Sequence, residues 1–524
     1  MKIKKKVVCI LTAGVGSRMG PLGLVLNKSL FTFQKKAIIS NIIDKFPLKN
    51  TRFVIGIGYK GDQVKSFLKI SHPLNEFVFV NIKKFQGKGT GPGYSLFSCK
   101  KHLQEPFYFI SCDTLVSGKI PLDANQNWVG TNKYSIINNQ NYCNLKVSSN
   151  KINKIVDKKK VNNKAYRQFI GLCYIKNYKL FWSGLSQKKL IKGEIQISNG
   201  LQSLISNDCV LKKSFNWLDL GNHEAYKKAI IKYEKYDFSK LNECIYFYKD
   251  RVIKFFADPT IIKNRVKKIS KNRNIFPIID KVSKNFYSYR YFEGSIFYNN
   301  LEKKTFNDFL KFSLDKLWIR NKKYNSKKFQ KICSLFYKKK TLIRYNKFKE
   351  KYSNFDETKD INGKKYPDIK SLLKKIKWSE INNGVQSFIH GDLQFDNVIY
   401  NRKKKKFKLI DWRQDFGKSI KIGDLYYDLS KIYGGMLIDY SKIKLNKFSY
   451  FENQKKINFN VPKIKKFKNY EKIFFDLILS QKLDIEKVKI ITGLIFLNMS
   501  PLHHYPFDKI LYNLSKKILY EEVK

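Results

Sequence analysis

Apolar residues in the first half of the chain fall into short runs: Val7 to Leu11, Phe53 to Ile57, Phe77 to Ile82 and Phe107 to Ser111. Runs of this length bounded by turn residues predict strands buried in a parallel sheet. Helical stretches lie between them, as in an open α/β sheet. A further strand is predicted from Gly171-Leu172 to Ile175, and helical periodicity covers Ala225 to Tyr233. A polar link, Tyr236 to Asn242, follows. Beyond it, Cys244 to Tyr248 and Val252 to Phe256 predict a hairpin about Lys249-Asp250-Arg251. Residues 300 to 385 read as helical. A second hairpin is predicted where Val398-Ile399-Tyr400, a basic turn from Asn401 to Lys406, and a run ending in Ile410-Asp411-Trp412 follow one another. From Asp424 to Lys524 the pattern is helical. At 524 residues the chain is too long for one ordinary core. Two domains are expected, 1–235 and 240–524.

Composition changes this picture little. The formal charge of +62 invites a nucleic-acid partner. Lysine, however, is spread over nearly every segment and travels with abundant Asn, Ile, Tyr and Phe, which points to compositional bias, not to a built patch. There is no zinc-finger, RRM-like or helix-turn-helix signature, so no specific nucleic-acid partner is expected. A positive field would still attract anionic nucleotides. The eight cysteines form no C-x-x-C pair, which argues against a zinc site or a disulfide framework and fits buried thiols in a reducing cytoplasm. The start, MKIKKKVVCILTAG, has the basic-then-apolar order of a signal peptide. Its apolar run is short, has no cleavage-site pattern and leads into a glycine turn, so it reads as a first strand. No apolar run is long enough to predict a membrane span.

Candidate chemistry begins directly after that strand. In Thr12-Ala13-Gly14-Val15-Gly16-Ser17-Arg18-Met19 the glycines allow tight turns and close approach of phosphates to N–H groups. Arg18 offers a planar fork for phosphate oxygens, and Lys28 is a second cation able to reach the same group. The strand Phe107 to Ser111 leads into Asp113, at the sheet end where α/β proteins place ligand-binding groups.

A-G-x-G-S-R-M followed by a lysine resembles the sugar-nucleotidyltransferase superfamily, which includes phosphocholine cytidylyltransferases and sugar-1-phosphate nucleotidyltransferases. The resemblance implies a Rossmann-like domain: a mixed, mostly parallel sheet with helices on both faces. It implies nucleotide contacts from Ala13, Gly14, Gly16, Ser17, Thr90 and Gly91, catalytic cations at Arg18 and Lys28, and Mg²⁺ on Asp113 and Asp219. Asp219 lies in Trp217-Leu218-Asp219-Leu220-Gly221, similar to the family's W-x-D-x-G. Lys146 to Lys158 resembles the family's hairpin, and Glu194 its acidic residue ahead of a helix over the acceptor. The family's P-K-P is Asn27-Lys28-Ser29 here: the lysine is kept and the stiffening prolines are not.

In the second half, His390-Gly391-Asp392 is followed five residues after the aspartate by Asn397, and then by Ile410-Asp411-Trp412. A hairpin brings its ends together, so Asp392, Asn397 and Asp411 can converge. One carboxylate would accept a hydroxyl proton, while an amide oxygen and a second carboxylate hold Mg²⁺ on nucleotide phosphates. The motif resembles the aminoglycoside phosphotransferase and choline kinase family, with Gly423-Asp424 and Tyr427-Asp428-Leu429 at its next helix start. The resemblance implies a two-lobed, protein-kinase-like α+β domain, with Asp392 as base, Asn397 and Asp411 as metal ligands, Lys254 as a phosphate-contacting lysine and Tyr289 to Gly294 as hinge. No glycine-rich loop precedes Lys254, and no glutamate lies between it and Phe276. Trp412, Tyr426, Tyr427 and Tyr433 offer faces for a quaternary ammonium. At 15% aromatic residues, core packing is their expected role.

Together the resemblances imply a bifunctional enzyme. ATP would phosphorylate a small alcohol or sugar, and a second NTP, CTP or UTP, would convert the phosphate monoester to an NDP-activated product and pyrophosphate for surface polysaccharide synthesis. The alternative is a nucleotidyltransferase carrying a degenerate kinase-like module for binding or regulation.

Overall fold

The computed structural model describes residues 5–133, 139–233, 242–270, 274–353, 355, 360–453 and 456–523. By contacts the chain divides into two compact units, Met1–Ala257 with Ser283–Ser288, and Asp258–Val282 with Tyr289–Lys524. The link read at Tyr236 to Asn242 lies, apart from Asn242, outside the described residues.

The first unit is built on a ten-stranded sheet. Its order is Glu76–Asn81, Thr51–Ile57, Lys6–Leu11, Phe107–Ser111, Tyr166–Ile175, Asn127–Asn132, Val210–Asp219, Lys151–Asp157 and Cys143–Ser148; Thr114–Ser117 pairs with Val210–Asp219. The first four strands are parallel. Tyr166–Ile175 runs antiparallel to both of its neighbours, and the hairpin Cys143–Ser148/Lys151–Asp157 is antiparallel as well. Val210–Asp219 runs parallel to Asn127–Asn132, so the sheet is mixed, with antiparallel pairing gathered at Tyr166–Ile175, at the hairpin and at Thr114–Ser117. The hairpin's short connection favours antiparallel pairing, whereas a parallel neighbour needs a long crossover.

Strand alternation feeds two cores. Val8 and Ile10 enter one, with Ile39 and Ile42 of helix Ile38–Ile43 and Phe67 of helix Gly61–Ser71. Val7 and Cys9 enter the other, with Phe181 of helix Tyr178–Ser186 and Leu201 of helix Ser198–Asn207. Helices thus cover both faces, as expected. All eight cysteines are free.

The hairpin Glu243–Tyr248/Arg251–Phe256 forms as predicted but packs into this unit. Tyr246, Ile253 and Phe255 join the core with Val8 and Phe67. The Tyr246 hydroxyl donates to the Leu30 carbonyl (2.8 Å) and that of Tyr248 to Asp44 Oδ1 (2.7 Å). The boundary read from the sequence and the contact division thus differ by this hairpin.

The second unit is mainly helical. The all-round apolar helix Ile485–Met499 is buried along most of its length and packs against Leu425–Leu437 and Phe507–Glu522. Small sheets punctuate it. The predicted hairpin Val398–Asn401/Lys406–Leu409 is present, with Ser295–Ile296 beside it. Helix is not continuous through 300–385 or 424–524 as expected. Asp360–Ile361 pairs with Lys364–Lys365, and Ser449–Glu452 with Lys456–Asn460. In Lys456–Asn460, buried Ile457 and Phe459 alternate with exposed Lys456, Asn458 and Asn460, a period-two pattern that competes with helix. Among the described residues no helix is long and apolar enough to cross a membrane.

Candidate functional site

In the first unit the strand Lys6–Leu11 ends in a loop held to its neighbour. Thr12 N donates to the Gly56 carbonyl (2.8 Å), and Tyr59 N to the Ala13 carbonyl (2.9 Å). Gly16, at φ 69°, opens the turn Ser17–Met19 that carries Arg18. A side chain at Gly16 would start 3.6 Å from Lys28 Cβ, so the glycine loop and the lysine are neighbours. Gly14 is exposed.

Asn27 replaces the rigidity of the absent prolines with hydrogen bonds. It is buried. Its Nδ2 donates to the carbonyls of Thr12 (2.9 Å) and Tyr59 (2.8 Å), and its Oδ1 accepts from Ser29 N (3.0 Å) and Oγ (2.8 Å). Its backbone N–H donates to Gln63 Oε1 (3.0 Å). The segment is thereby locked to both flanking loops, and Lys28 Nζ reaches Asp113 Oδ2 at 2.8 Å. Burial pushes the Lys28 ammonium down, but Asp113 outweighs this and leaves it raised; in return Lys28 overcomes the burial of Asp113 and holds its carboxyl low.

Asp113 and Asp219 converge because Thr114 pairs with Asp219 in antiparallel register and Leu220 N donates to the Asp113 carbonyl (3.1 Å). A Cβ on Gly221 would lie 2.9 Å from Asp219 Oδ1 and 3.2 Å from Asp113 Oδ2, so both carboxylates face one point. Asp219 Oδ1 accepts from Gly221 N (2.8 Å) and Oδ2 from the Tyr142 hydroxyl (2.9 Å). Burial first, and then the charge of Asp113, push the Asp219 carboxyl up. A divalent cation between the two would relieve that repulsion. Among the described residues no three or more His, Cys, Asp or Glu gather as a metal cluster. Two carboxylates with water and phosphate as remaining ligands suit magnesium. The charge of Arg18 acts on Lys28, Asp113 and Asp219 alike, which places it in the same group.

Thr90, Gly91 and Glu194 form a neighbouring group. Ile195 N donates to the Thr90 carbonyl (2.7 Å) and Gly89 N to the Gly193 carbonyl (2.8 Å). Gly91, at φ 112°, lies so close to this strand that a Cβ would meet the Ile195 carbonyl at 2.8 Å and Glu194 Cβ at 2.9 Å. Glu194 accepts from Lys158 Nζ (3.0 Å) and Gln196 Nε2 (2.8 Å). Lys158 N in turn donates to the carbonyl of Tyr142, which holds Asp219. Tyr142 and Lys158 thus bridge the paired aspartates to Glu194. Neither was singled out from sequence: both are reached only through sheet register.

In the second unit Asp392, Asn397 and Asp411 come together. The Asn397 amide nitrogen donates to the Asp392 carbonyl (2.8 Å) and more weakly to Asp392 Oδ2 (3.3 Å). Ile410 N donates to the Asn397 carbonyl (2.8 Å), which seats Asp411 beside the loop. Asp411 has φ 58°, a left-handed backbone that aspartate tolerates better than most residues. His390 is buried and organises the loop. Asp392 N donates to its Nδ1 (3.2 Å), so the proton sits on Nε2, which donates to the Ile410 carbonyl (2.9 Å). Burial pushes the imidazole down to about 3, in keeping with a neutral ring.

Asp428 accepts the backbone N–H groups of both His390 and Gly391, each at 2.7 Å. One turn on, Lys431 Nζ pairs with Asp392 Oδ1 at 2.7 Å and holds that carboxyl low despite its burial. Asp428 and Lys431 sit three apart on helix Leu425–Leu437, so one helix face supports the loop. Asp428 was visible in the sequence without its task, and Lys431 was not singled out there. Asp411 pairs with Arg265 at 2.6 Å, and Lys268 donates to the carbonyls of His390 (3.2 Å) and Arg413 (2.9 Å). Asp424 caps the same helix, accepting from Tyr426 N (3.3 Å). Lys254 is buried on Arg251–Phe256, which belongs to the first unit. Trp412, Tyr426, Tyr427 and Tyr433 are buried in packing, as expected.

No protein-family model matches the chain. Over 217 residues it is 23% identical to the bifunctional protein GlmU of Methanococcus maripaludis, a match covering 41% of this chain and 51% of that protein. The chain therefore spans about half the length of this curated relative. Among solved structures it is similar to a UDP-glucose pyrophosphorylase complexed with UDP-glucose (18% identity, 44% of this chain, 98% of that one, TM-score 0.38). It is also similar to the CTP:phosphocholine cytidylyltransferase of Streptococcus pneumoniae (20% identity, 44% of this chain, 100% of that one, TM-score 0.37).

Proposed function

We propose that the first unit is a nucleotidyltransferase joining an NTP to a phosphate monoester. The observation that carries this reading is the convergence of Asp113 and Asp219 on one point beside Lys28. An oxygen of the monoester attacks the α-phosphorus, a new O–P bond forms, and the bond to the β-phosphate oxygen breaks to release pyrophosphate. Both reactants are anions. Arg18 and Lys28 neutralise them and hold the phosphates in line. Ala13, Gly14, Gly16 and Ser17 bring backbone close to the phosphates, while Thr90 and Gly91 line the nucleotide side next to Glu194 on the acceptor side. Mg²⁺ on Asp113 and Asp219 would supply Lewis-acid stabilisation of the phosphoryl charge. The monoester is already ionised near neutral pH, so no general base is required. In this reading the nucleotide is UTP or CTP. Asp113→Asn is expected to abolish pyrophosphate release from the NTP when sugar or alcohol phosphates are supplied; unchanged release would overturn the assignment.

We propose further that the second unit is an ATP-dependent small-molecule kinase that makes this monoester, so that consecutive steps share one chain in the cytoplasm. Asp392 takes the proton of the acceptor hydroxyl, and Asn397 and Asp411 would supply oxygens to hold Mg²⁺. The loop held by His390 and Asp428 supports this reading. The ion pairs Lys431–Asp392 and Arg265–Asp411 favour the alternative, a degenerate module for binding or regulation, because each closes a carboxylate the reaction needs. ATP-dependent phosphorylation by the wild-type chain decides between them, and its absence would favour the degenerate module. General-base catalysis contributes roughly 10²–10⁴-fold, so Asp392→Asn should lower the rate by about that factor, and an unchanged rate would exclude Asp392 as the base.

A further inference from the structure

The surroundings of Asp392 carry an excess of positive charge. The helix from Ser326 to Lys351 is widened over Leu335–Lys339 into a π-helical turn, a distortion common at functional sites. This turn carries Phe336 and leads to Lys340. Lys340 Nζ lies 4.0 Å from the centre of the Phe336 ring and 5.7 Å from that of Tyr427. Arg344 follows one turn on, on the same helix face. Arg413, packed against Gly391, places its guanidinium 5.0 Å from the same Phe336 ring, and its Nε is buried without a hydrogen-bond partner.

The charges acting on Lys340 are Arg413, Lys431 and Arg344, all repulsive, and Asp392, attractive. Asp392 is already matched by Lys431 at 2.7 Å. Lys340, Arg344 and Arg413 have no carboxylate partner among the described residues. Burial, reinforced by Arg413, pushes the Lys340 ammonium well down. Three half-buried cations without a counterion among the described residues are costly unless a ligand supplies the negative charge. A cationic acceptor, by contrast, would meet four like charges. The ring faces that a quaternary ammonium needs are also taken by the protein's own cations: Phe336 by Lys340 and Arg413, Tyr427 by Lys340, and Tyr426 by Lys487 at 4.3 Å.

We infer that the acceptor of the second unit is a hydroxyl compound bearing its own carboxylate or phosphate, seated on Lys340, Arg344 and Arg413 with its hydroxyl toward Asp392. This rests on the kinase reading above. The hydroxyl oxygen attacks the γ-phosphorus of ATP and forms the new O–P bond. The bond from that phosphorus to the bridging oxygen breaks, ADP leaves, and the hydroxyl proton passes to Asp392. The product is a monoester with a second anionic group.

The test is to incubate the full chain with ATP, Mg²⁺ and four pools of hydroxyl compounds: cationic, neutral, carboxylate-bearing and phosphate-bearing. Phosphorylated products are read by mass spectrometry. Product confined to either anionic pool is expected and identifies the anion. Product only in the cationic or neutral pool overturns the inference and leaves the kinase reading standing; product in no pool overturns both. With the acceptor found, Lys340→Met keeps the apolar stem on Phe336 and should stay folded, since it removes a repelled charge. Together with Arg344→Gln it should raise KM for the acceptor about tenfold or more, the scale of a charge-assisted hydrogen bond, with a smaller change in kcat. A fall in kcat with KM unmoved would assign the cluster to the transferred phosphoryl group and refute the inference.

Discussion

Asn27→Pro would stiffen the segment Asn27-Lys28-Ser29, and the backbone would accept it. Asn27 has φ −61° and ψ 135°, inside the range of proline, and Leu26 before it is extended at φ −129°, ψ 142°, as a residue preceding proline should be. On backbone grounds alone the substitution should stabilise by about 0.4–1 kcal/mol through the unfolded chain. Against this, the ring deletes all five hydrogen bonds of Asn27: to Thr12, Tyr59, Ser29 twice, and Gln63. At about 0.5–1.5 kcal/mol net for each bond, they contribute about 3–7 kcal/mol together. The carbonyls of Thr12 and Tyr59 lose a donor in a site that is only 1% exposed at Asn27. Hydrogen bonding therefore wins, and the variant should lose at least about 2 kcal/mol, seen as a lower Tm and a lower denaturant midpoint of the full chain. Lys28 loses its anchor as well, so pyrophosphate release should slow. Asn27→Ala, which keeps the backbone N–H, should fall between wild type and Asn27→Pro. An Asn27→Pro protein as stable as wild type would show that the loop is held by backbone stiffness and refute the reasoning.

Burial lowers the His72 pKa to about 4 from an ordinary 6.5, with Nε2 against Ser40 Oγ at 2.9 Å and the ring 4.2 Å from that of Tyr248. A histidine kept neutral by the fold contributes its full stability above pH 6.5 and loses it as pH falls toward 4, by up to about 3 kcal/mol; His72→Gln should remove that share of the acid sensitivity, and identical pH–stability curves would contradict it. A fragment ending at residue 236 lacks Tyr246, Ile253 and Phe255, which are fully buried in the first core. At about 1.5–3 kcal/mol each their loss should abolish cooperative unfolding, and a sharp melt near that of the full chain would refute their place in the core.

The chain's own pattern determined most of the strands and the order of the candidate groups. Lys6–Leu11, Thr51–Ile57, Glu76–Asn81 and Phe107–Ser111 were legible because short apolar runs between turns have few other uses, and both later hairpins were legible from paired runs around basic turns. Arg18, Lys28, Asp113 and Asp219 were visible as residue types at expected places, as were Asp392, Asn397 and Asp411. What only the tertiary structure decided is what each of them touches. Asp113 meets Asp219 through the register of Thr114–Ser117 on Val210–Asp219, an antiparallel pairing that no local pattern specifies. Tyr142 and Lys158 enter by the same route. The alternation in Lys456–Asn460 was present in the sequence, yet it ran within a long polar stretch where a helix also fitted. The hairpin Glu243–Tyr248/Arg251–Phe256 was drawn correctly and assigned to the other domain, because apolar residues advertise that they will be buried but not against which partner. The cations around Asp392 were hidden for a related reason. In a chain with 104 Lys and Arg, single lysines carry no signal until folding brings Lys340, Arg344 and Arg413 together with no carboxylate paired to them among the described residues.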